Sequence, residues 1–362
     1  MEKERDVTIY DLANELNISI ATVSRALKDD PVVSKKTKKK IFELAEKMGY
    51  RSNHFARNLR IQKTNTIGVL VGKLTSHFQA SAISGIENTA NSEEYNLIIS
   101  QSSETFTKEA ASAKTMFDSR VDGLLVSLAF DTNTLKHFDQ FFIKKVPVIF
   151  YDRVIEHANS TCVVIDNVKA AYEATKHLIE QGCKRIVHIT APPQQNVYTD
   201  RLKGYRQALA TYNIAFSEED VIIGNLSMEA GVKAANTILS MVPKPNGVFV
   251  ANDNCAVGCM LALKQRGIHI PRDIALCGFN NDPVSRVIEP NLTTINYSGF
   301  EMGQVAAQQL INHLRGMSTI HSTNTIILRS ELVIRESSLK GMAPPSEGKD
   351  AIPALKEPVD MK

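Results

Sequence analysis

Ile20, Ala21, Ser24, Arg25 and Lys28 stand at i, i+1, i+4, i+5 and i+8, in and just after the stretch ISIATVSRAL. On a helix this spacing turns all five to one side, with Val23, Ala26 and Leu27 facing inward. A helix of this kind fits the major groove of DNA, and its first turns reach base edges. Small residues let the backbone come close, and Arg25 has the length and the fork to pair with guanine O6 and N7. Thr22 and Ser24 could bond phosphates, while Lys35, Lys36, Lys38, Lys39 and Lys40 add attraction independent of sequence. The same pattern would also suit a three-helix protein-interaction module, so the residue types alone leave two readings open.

A small bundle is needed to position these side chains. Thr8 and Asp11 have capping-box spacing, and Ile9, Leu12, Ala13 and Leu16 follow as one apolar stripe. Asn17 and Ile18 break the stripe, and Ser19 can cap a second helix. Ile41, Leu44, Ala45 and Met48 form a third stripe after Ser34. Two short helices joined by so tight a turn make a helix-turn-helix arrangement. Residues 1–64 carry 14 Lys and Arg against 9 Asp and Glu, whereas the remainder carries 28 against 30. A basic head on a slightly acidic body directs the head toward a polyanion.

From Ile67 the pattern changes. IGVLVG, NLIISQS, VDGLLVSL and VPVIFYD read as buried strands, and CVVID, RIVHIT, VIIGN, GVFVAN and IALCGF repeat the theme. Helical stretches at 109–118, 169–181 and 256–266 alternate with them. Such alternation implies parallel sheets covered on both faces, here in two successive lobes with a ligand cleft at the strands' carboxyl ends. The five cysteines, none before Cys162, fit reduced core thiols rather than a disulfide framework. No apolar run approaches the roughly 20 residues of a bilayer span. The charged start MEKERDVTIYDLA lacks the apolar stretch of a secretory signal, which places the chain in the cytoplasm.

The tract VTIYDLANELNISIATVSRALKDDPVVSKKTKKKIFELAEKMGYRSN closely resembles the DNA-binding headpiece of the lactose-repressor/galactose-repressor family, with ATVSRAL its most specific part. The resemblance continues through VDGLLVS, PVIFYDR, RLKGYRQAL, VFVANDNCAVGCMLAL and IALCGFNNDPVSRVIEPNLTTIN, and covers roughly residues 6 to 337. It implies that Ile20, Ala21 and Arg25 read bases, with Thr8, Ser19, Thr22, Ser24 and Lys28 on the DNA backbone. It implies a hinge helix in NHFARNLRIQKTNT that enters the minor groove, with Asn53, Ala56, Arg57 and Leu59 as its contacts. Leu59 would wedge a base step, the known use of an apolar residue there. Ser52 replaces the proline usual before that helix, which puts the stiffness of its start in question; a plain polar linker is the simpler alternative.

The family's ligand pocket falls on Phe78, Asp152, Arg201, Asn252 and Asn280. Asn280 stands where an aspartate is frequent, and Leu226 where an aromatic is, so ligand identity does not transfer. Phe78 could instead be only core. Arg153 and Asp253 are further candidates that could instead form an interlobe salt bridge. Both amide atoms of Asn252 could bond ligand hydroxyls.

The resulting expectation is a small all-α helix-turn-helix headpiece (1–52), a hinge (53–65) and a two-lobed α/β core (66–340) like that of periplasmic binding proteins, with parallel sheets and three interlobe crossovers. Lobe 1 takes residues 66–160 and 292–323, lobe 2 residues 161–291 and 324–337. Residues 341–362, rich in Pro, Gly and charge, read as a disordered tail. The expected partners are a pseudo-palindromic double-stranded operator, a small-molecule effector of carbohydrate type and a second copy of the chain. No membrane, cofactor, metal or catalytic residue is expected, since the nucleophile-elbow, P-loop, dinucleotide and zinc-protease signatures are missing. Two alternatives stay open: a cytoplasmic ligand-binding protein, and a DNA-binding regulator controlled by a protein partner.

Overall fold

The computed structural model describes residues 7–50, 63–318 and 325–340. The chain divides into two compact units, 1–65 and 66–362.

The first unit contains α1 (Ile9–Glu15), α2 (Ile20–Leu27) and α3 (Lys35–Lys47). Each begins at a polar cap. Asp11 accepts hydrogen bonds from the Thr8 N–H and hydroxyl at 2.7 and 2.6 Å. Ser19 Oγ accepts from the Thr22 N–H at 3.1 Å, and Ser34 Oγ from that of Thr37 at 3.2 Å. Asn17, at φ 53°, makes the turn between α1 and α2 in a left-handed conformation that asparagine tolerates. Leu12, Ala13, Val23, Ala26, Val33, Ile41 and Ala45 form the buried centre. Full burial of Leu12 or Ile41 contributes roughly 1.5–3 kcal/mol each.

The second unit alternates strand and helix. It begins with β1 (Thr66–Val71), α4 (His77–Ser92), β2 (Asn96–Gln101), α5 (Phe106–Asp118), β3 (Gly123–Val126), α6 (Asp139–Ile143), β4 (Val148–Tyr151) and β5 (Ser160–Ile165). Next come α7 (Asn167–Glu180), β6 (Ile186–Thr190), α8 (Asn196–Thr211), β7 (Val221–Ile223), α9 (Met228–Ser240), β8 (Gly247–Val250), α10 (Asp253–Gln265) and β9 (Ala275–Cys277). The last elements are β10 (Thr294–Asn296), α11 (Gly299–Leu314), β11 (Thr325–Leu328) and β12 (Glu331–Val333).

One parallel sheet has the order β11-β5-β4-β3-β1-β2 and a second has β7-β6-β8-β9, while β10 and β12 pair antiparallel. The central strands are buried on both faces, which is why β1 and β4 read as continuous apolar runs.

Two details depart from the sequence reading. β5 and β11 belong to the first sheet, where Phe150 pairs with Cys162 and Val163 with Ile326. The lobe division at 160/161 and 323/324 therefore cuts both strands away from their sheet; the chain leaves the first lobe only after each strand is complete. Apolar pattern finds a strand but not its partner, because parallel pairing is non-local. Helices α5, α7 and α10 also start earlier than expected, at Phe106, Asn167 and Asp253. Asp166 accepts from the Lys169 N–H at 2.8 Å and Asn252 from the Cys255 N–H at 3.1 Å, which sets the first turn at the cap.

Helices α4 and α11 cross at close range through Gly85 and Gly303. A Cβ on Gly85 would strike the Phe300 carbonyl, and one on Gly303 that of Ala82. All five cysteines are free and buried. Among the described residues, no cluster of His, Cys, Asp and Glu could hold a metal ion, and no helix is long and apolar enough to cross a membrane.

Candidate DNA-contacting face and interlobe cavity

Helix α2 exposes Ile20, Ala21 and Arg25, as does its C-cap Lys28, leaves Thr22 and Ser24 half-buried, and buries Val23 and Ala26. The apolar stripe docks on α1 and α3, so the opposite face carries the arginine outward. The hydroxyls of Thr8 and Ser19 are engaged locally: Thr8 donates to Asp11, and Ser19 shares a 2.8 Å hydrogen bond with the Thr22 hydroxyl. Lys38 differs from its neighbours. Its ammonium bonds the Asp29 carbonyl at 2.8 Å and carboxylate at 2.5 Å, tying the turn after α2 to α3. Asn53, Ala56, Arg57 and Leu59, with Ser52, lie outside the described residues.

In the second unit Phe78, Asp152, Arg201, Asn252 and Asn280 all border one cavity of about 380 Å³. Asp152 follows β4, Asn252 follows β8 and Asn280 follows β9, so the cavity lies at the strands' carboxyl ends. Four bordering residues adopt left-handed backbone: Glu104 at φ 64°, Asp152 at 60°, Leu226 at 57° and Asn280 at 116°. Such positions cost about 1–3 kcal/mol each and persist only where the surroundings hold them. Phe78 lies in the first turn of α4 rather than in the preceding loop, and its ring packs 4.9 Å from that of Tyr297.

Arg201 is fixed on three sides. Its Nε donates to Asn167 Oδ1 at 2.9 Å, its Nη1 to the Ala251 carbonyl at 2.7 Å, and its guanidinium lies over the Phe279 ring. Asp152 is half-buried, and desolvation pushes its carboxyl above the usual range against the pull of Arg153 and Arg201. Gln79 Nε2 lies 3.5 Å from Asp152 Oδ2 and donates to Ser127 Oγ at 2.9 Å.

Arg153 forms no interlobe salt bridge in this arrangement. It pairs within the first lobe with Glu104, at 2.6 and 3.2 Å, and covers the Phe130 ring. Asp253 is a brace rather than a cavity group. It accepts from the Thr294 hydroxyl at 2.7 Å and the Asp282 N–H at 2.8 Å. Burial first, then the charge of Asp282, pushes its carboxyl up to about 8.

The amides are less free than their types suggest. Asn252 Oδ1 caps α10, which takes one of its two lone pairs and leaves its amide nitrogen and the second lone pair for a ligand. Asn280 Oδ1 accepts from the Tyr297 hydroxyl at 3.2 Å. Sequence reasoning missed Gln79, Glu104, Phe130, Tyr198 and Tyr297, all of which border the cavity. Glu104, Phe130 and Tyr297 were accessible in principle, because they follow β2, β3 and β10 as Asp152 follows β4; Gln79 and Tyr198 sit within helices and carry no local signal.

Residues 8–53 match the family model for bacterial regulatory proteins of the lacI family, and residues 175–338 that for a periplasmic binding protein-like domain. Catabolite control protein A of Priestia megaterium is 31% identical over 310 residues, covering 85% of this chain and 93% of the relative. The HTH-type transcriptional regulator RegA of Clostridium saccharobutylicum is 32% identical over 334 residues, covering 92% and 99%. The lac repressor dimer bound to operator and the anti-inducer ONPF superposes with a TM-score of 0.78 at 23% identity, over 92% of this chain and 100% of that one. Headpiece, two-lobed body and cleft together define a DNA-binding transcriptional regulator with a ligand-binding domain of the periplasmic type. The chain belongs to the lacI family of bacterial regulatory proteins.

Proposed function

We propose that the chain is a cytoplasmic homodimeric repressor whose paired α2 helices read a pseudo-palindromic operator, and whose effector is a sugar or sugar derivative held between the lobes. Two-fold protein symmetry calls for matched half-sites. The observation that carries the effector class is the cavity lining. Phe78, Phe130, Tyr198 and Tyr297 offer apolar faces beside Asp152, Arg201, Asn225 and Asn254, a combination suited to a ring with C–H faces and hydroxyl edges. A related regulator, CelR, is known in complex with cellobiose, at a TM-score of 0.70 and 24% identity over 91% of this chain and 99% of that one. The effector acts by binding one conformation of the regulator better than another, a coupling typically of 1–3 kcal/mol. The role is binding, without a catalytic step.

The test is selection of duplexes from a random DNA pool with purified full-length protein. A two-fold symmetric consensus supports the reading and supplies the probe for a screen of sugars and phosphosugars. Enrichment of no sequence, with and without a metabolite pool, by folded dimeric protein would remove the operator reading.

A further inference from the structure

Gln195 and Asn196 stand at the start of α8, a helix of the second lobe, yet their side chains bind the first. Gln195 Nε2 donates to the carbonyls of Ala129 and Thr132 at 2.8 and 2.7 Å. Asn196 Oδ1 accepts from the Val154 N–H at 2.9 Å, and its Nδ2 donates to the Asp152 carbonyl at 3.2 Å. Two adjacent residues thus grip both first-lobe loops, the one after β3 and the one after β4. Gln195 is fully buried. Separating the lobes would strip Gln195 Nε2 of both carbonyls, and a donor left buried without partners is costly; its Oε1 has no partner among the described residues even with the contact made.

The loop it grips is braced from behind. Glu109, also fully buried, accepts from the Ala129 N–H at 2.5 Å and the Thr132 hydroxyl at 2.8 Å. The two carbonyls offered to Gln195 are therefore held in place by the first lobe's own core. On the cavity side, Asn196 fixes the backbone of Asp152, whose left-handed φ needs such support.

We infer that Gln195 and Asn196 form an interlobe clasp that positions Asp152 and holds the lobes together through the chain's own hydrogen bonds, independently of the effector. This inference rests on the reading of the cavity as the effector site only for its regulatory meaning. A ligand can shift an equilibrium only by its differential affinity for the two states. With closure already set by the clasp, the effector's leverage lies in the Asp152 loop that the clasp fixes, not in bringing two open lobes together.

The experiment is residue-resolved hydrogen–deuterium exchange on full-length protein without DNA or metabolite, compared with Asn196→Ala and Gln195→Ala. In the parent protein the Val154 amide is protected. Asn196→Ala speeds its exchange about tenfold or more, consistent with loss of a net hydrogen bond and local opening, and Gln195→Ala also speeds it. The amides of β1 stay as slow as in the parent. Exchange of Val154 at the rate of an open loop in the parent protein, or unchanged exchange in Asn196→Ala with β1 intact, would overturn the clasp. Should Asn196→Ala loosen β1 as well, protection of Val154 in the parent alone decides. Neither DNA nor effector enters, so a failure here is distinct from a failed duplex selection.

Discussion

The guanidinium carbon of Arg201 lies 3.5 Å from the centre of the Phe279 ring. Asn167 and Ala251 take hydrogens of Nε and Nη1, and the stacked residue borders the cavity. A cation held by neutral acceptors and an aromatic face is pre-organised and costs little further ordering when a ligand arrives.

Arg201→Lys keeps the charge but loses the fork and the planar stack. The expected result is loss of response to whichever sugar or phosphosugar releases the parent protein from its selected duplex, with duplex affinity in buffer unchanged. A titration of the variant that overlays the parent would take Arg201 out of the effector site.

Arg25→Ala removes the one exposed fork on α2. Discrimination at one base pair of each half-site should fall by about 1–3 kcal/mol, while preferences elsewhere persist. Competition binding with single-base variants of the selected duplex checks this. An undiminished preference at every position would assign Arg25 to the backbone or to no contact.

Asp253 links stability to pH. Its carboxyl stands near 8 in the folded protein and at the ordinary 3.8 when unfolded. Between those values the native state holds a proton that the unfolded chain has released, so this contribution to stability falls as pH rises from about 4 to about 8. Asp253→Asn, nearly isosteric and uncharged, should flatten the slope. Urea unfolding at several pH values reads it, and parallel slopes for parent and variant would contradict the assignment.

Gly303→Val places a branched side chain where α11 meets the Ala82 carbonyl of α4. Overpacking of this kind costs about 1–3 kcal/mol. Thermal melting should show a lower midpoint for the core transition, with Arg25-dependent DNA discrimination unaffected in protein that remains folded. An unchanged midpoint would mean that the two helices can separate without loss.

Much of the headpiece was legible because its signals are local. The caps at Thr8, Ser19 and Ser34, the stripe through Ile9, Leu12, Ala13 and Leu16, and the outward face at Ile20, Ala21 and Arg25 all follow from periodicity within about one or two turns. Lys38 was read together with four other lysines, and only the packing of α3 brings its ammonium to Asp29. The alternation of strand and helix in the body was equally plain, because strands buried on both faces are apolar throughout.

The amino-acid sequence by itself determined the order of elements, the helix-turn-helix and, through family resemblance, five positions that border one cavity. Only the tertiary structure decided which strands share a sheet, moving β5 and β11 into the first lobe. Only it showed that Asn252 also caps a helix, that Arg153 answers Glu104, and that Gln195 and Asn196 bind across the cleft. The physical reason is the range of the interaction. Caps and stripes join residues three or four apart, whereas Asn196 meets Val154 across 42 positions and Gln195 meets Ala129 across 66. No local pattern in the chain encodes a hydrogen bond between side chain and backbone at that separation; it exists only once both lobes have folded around it.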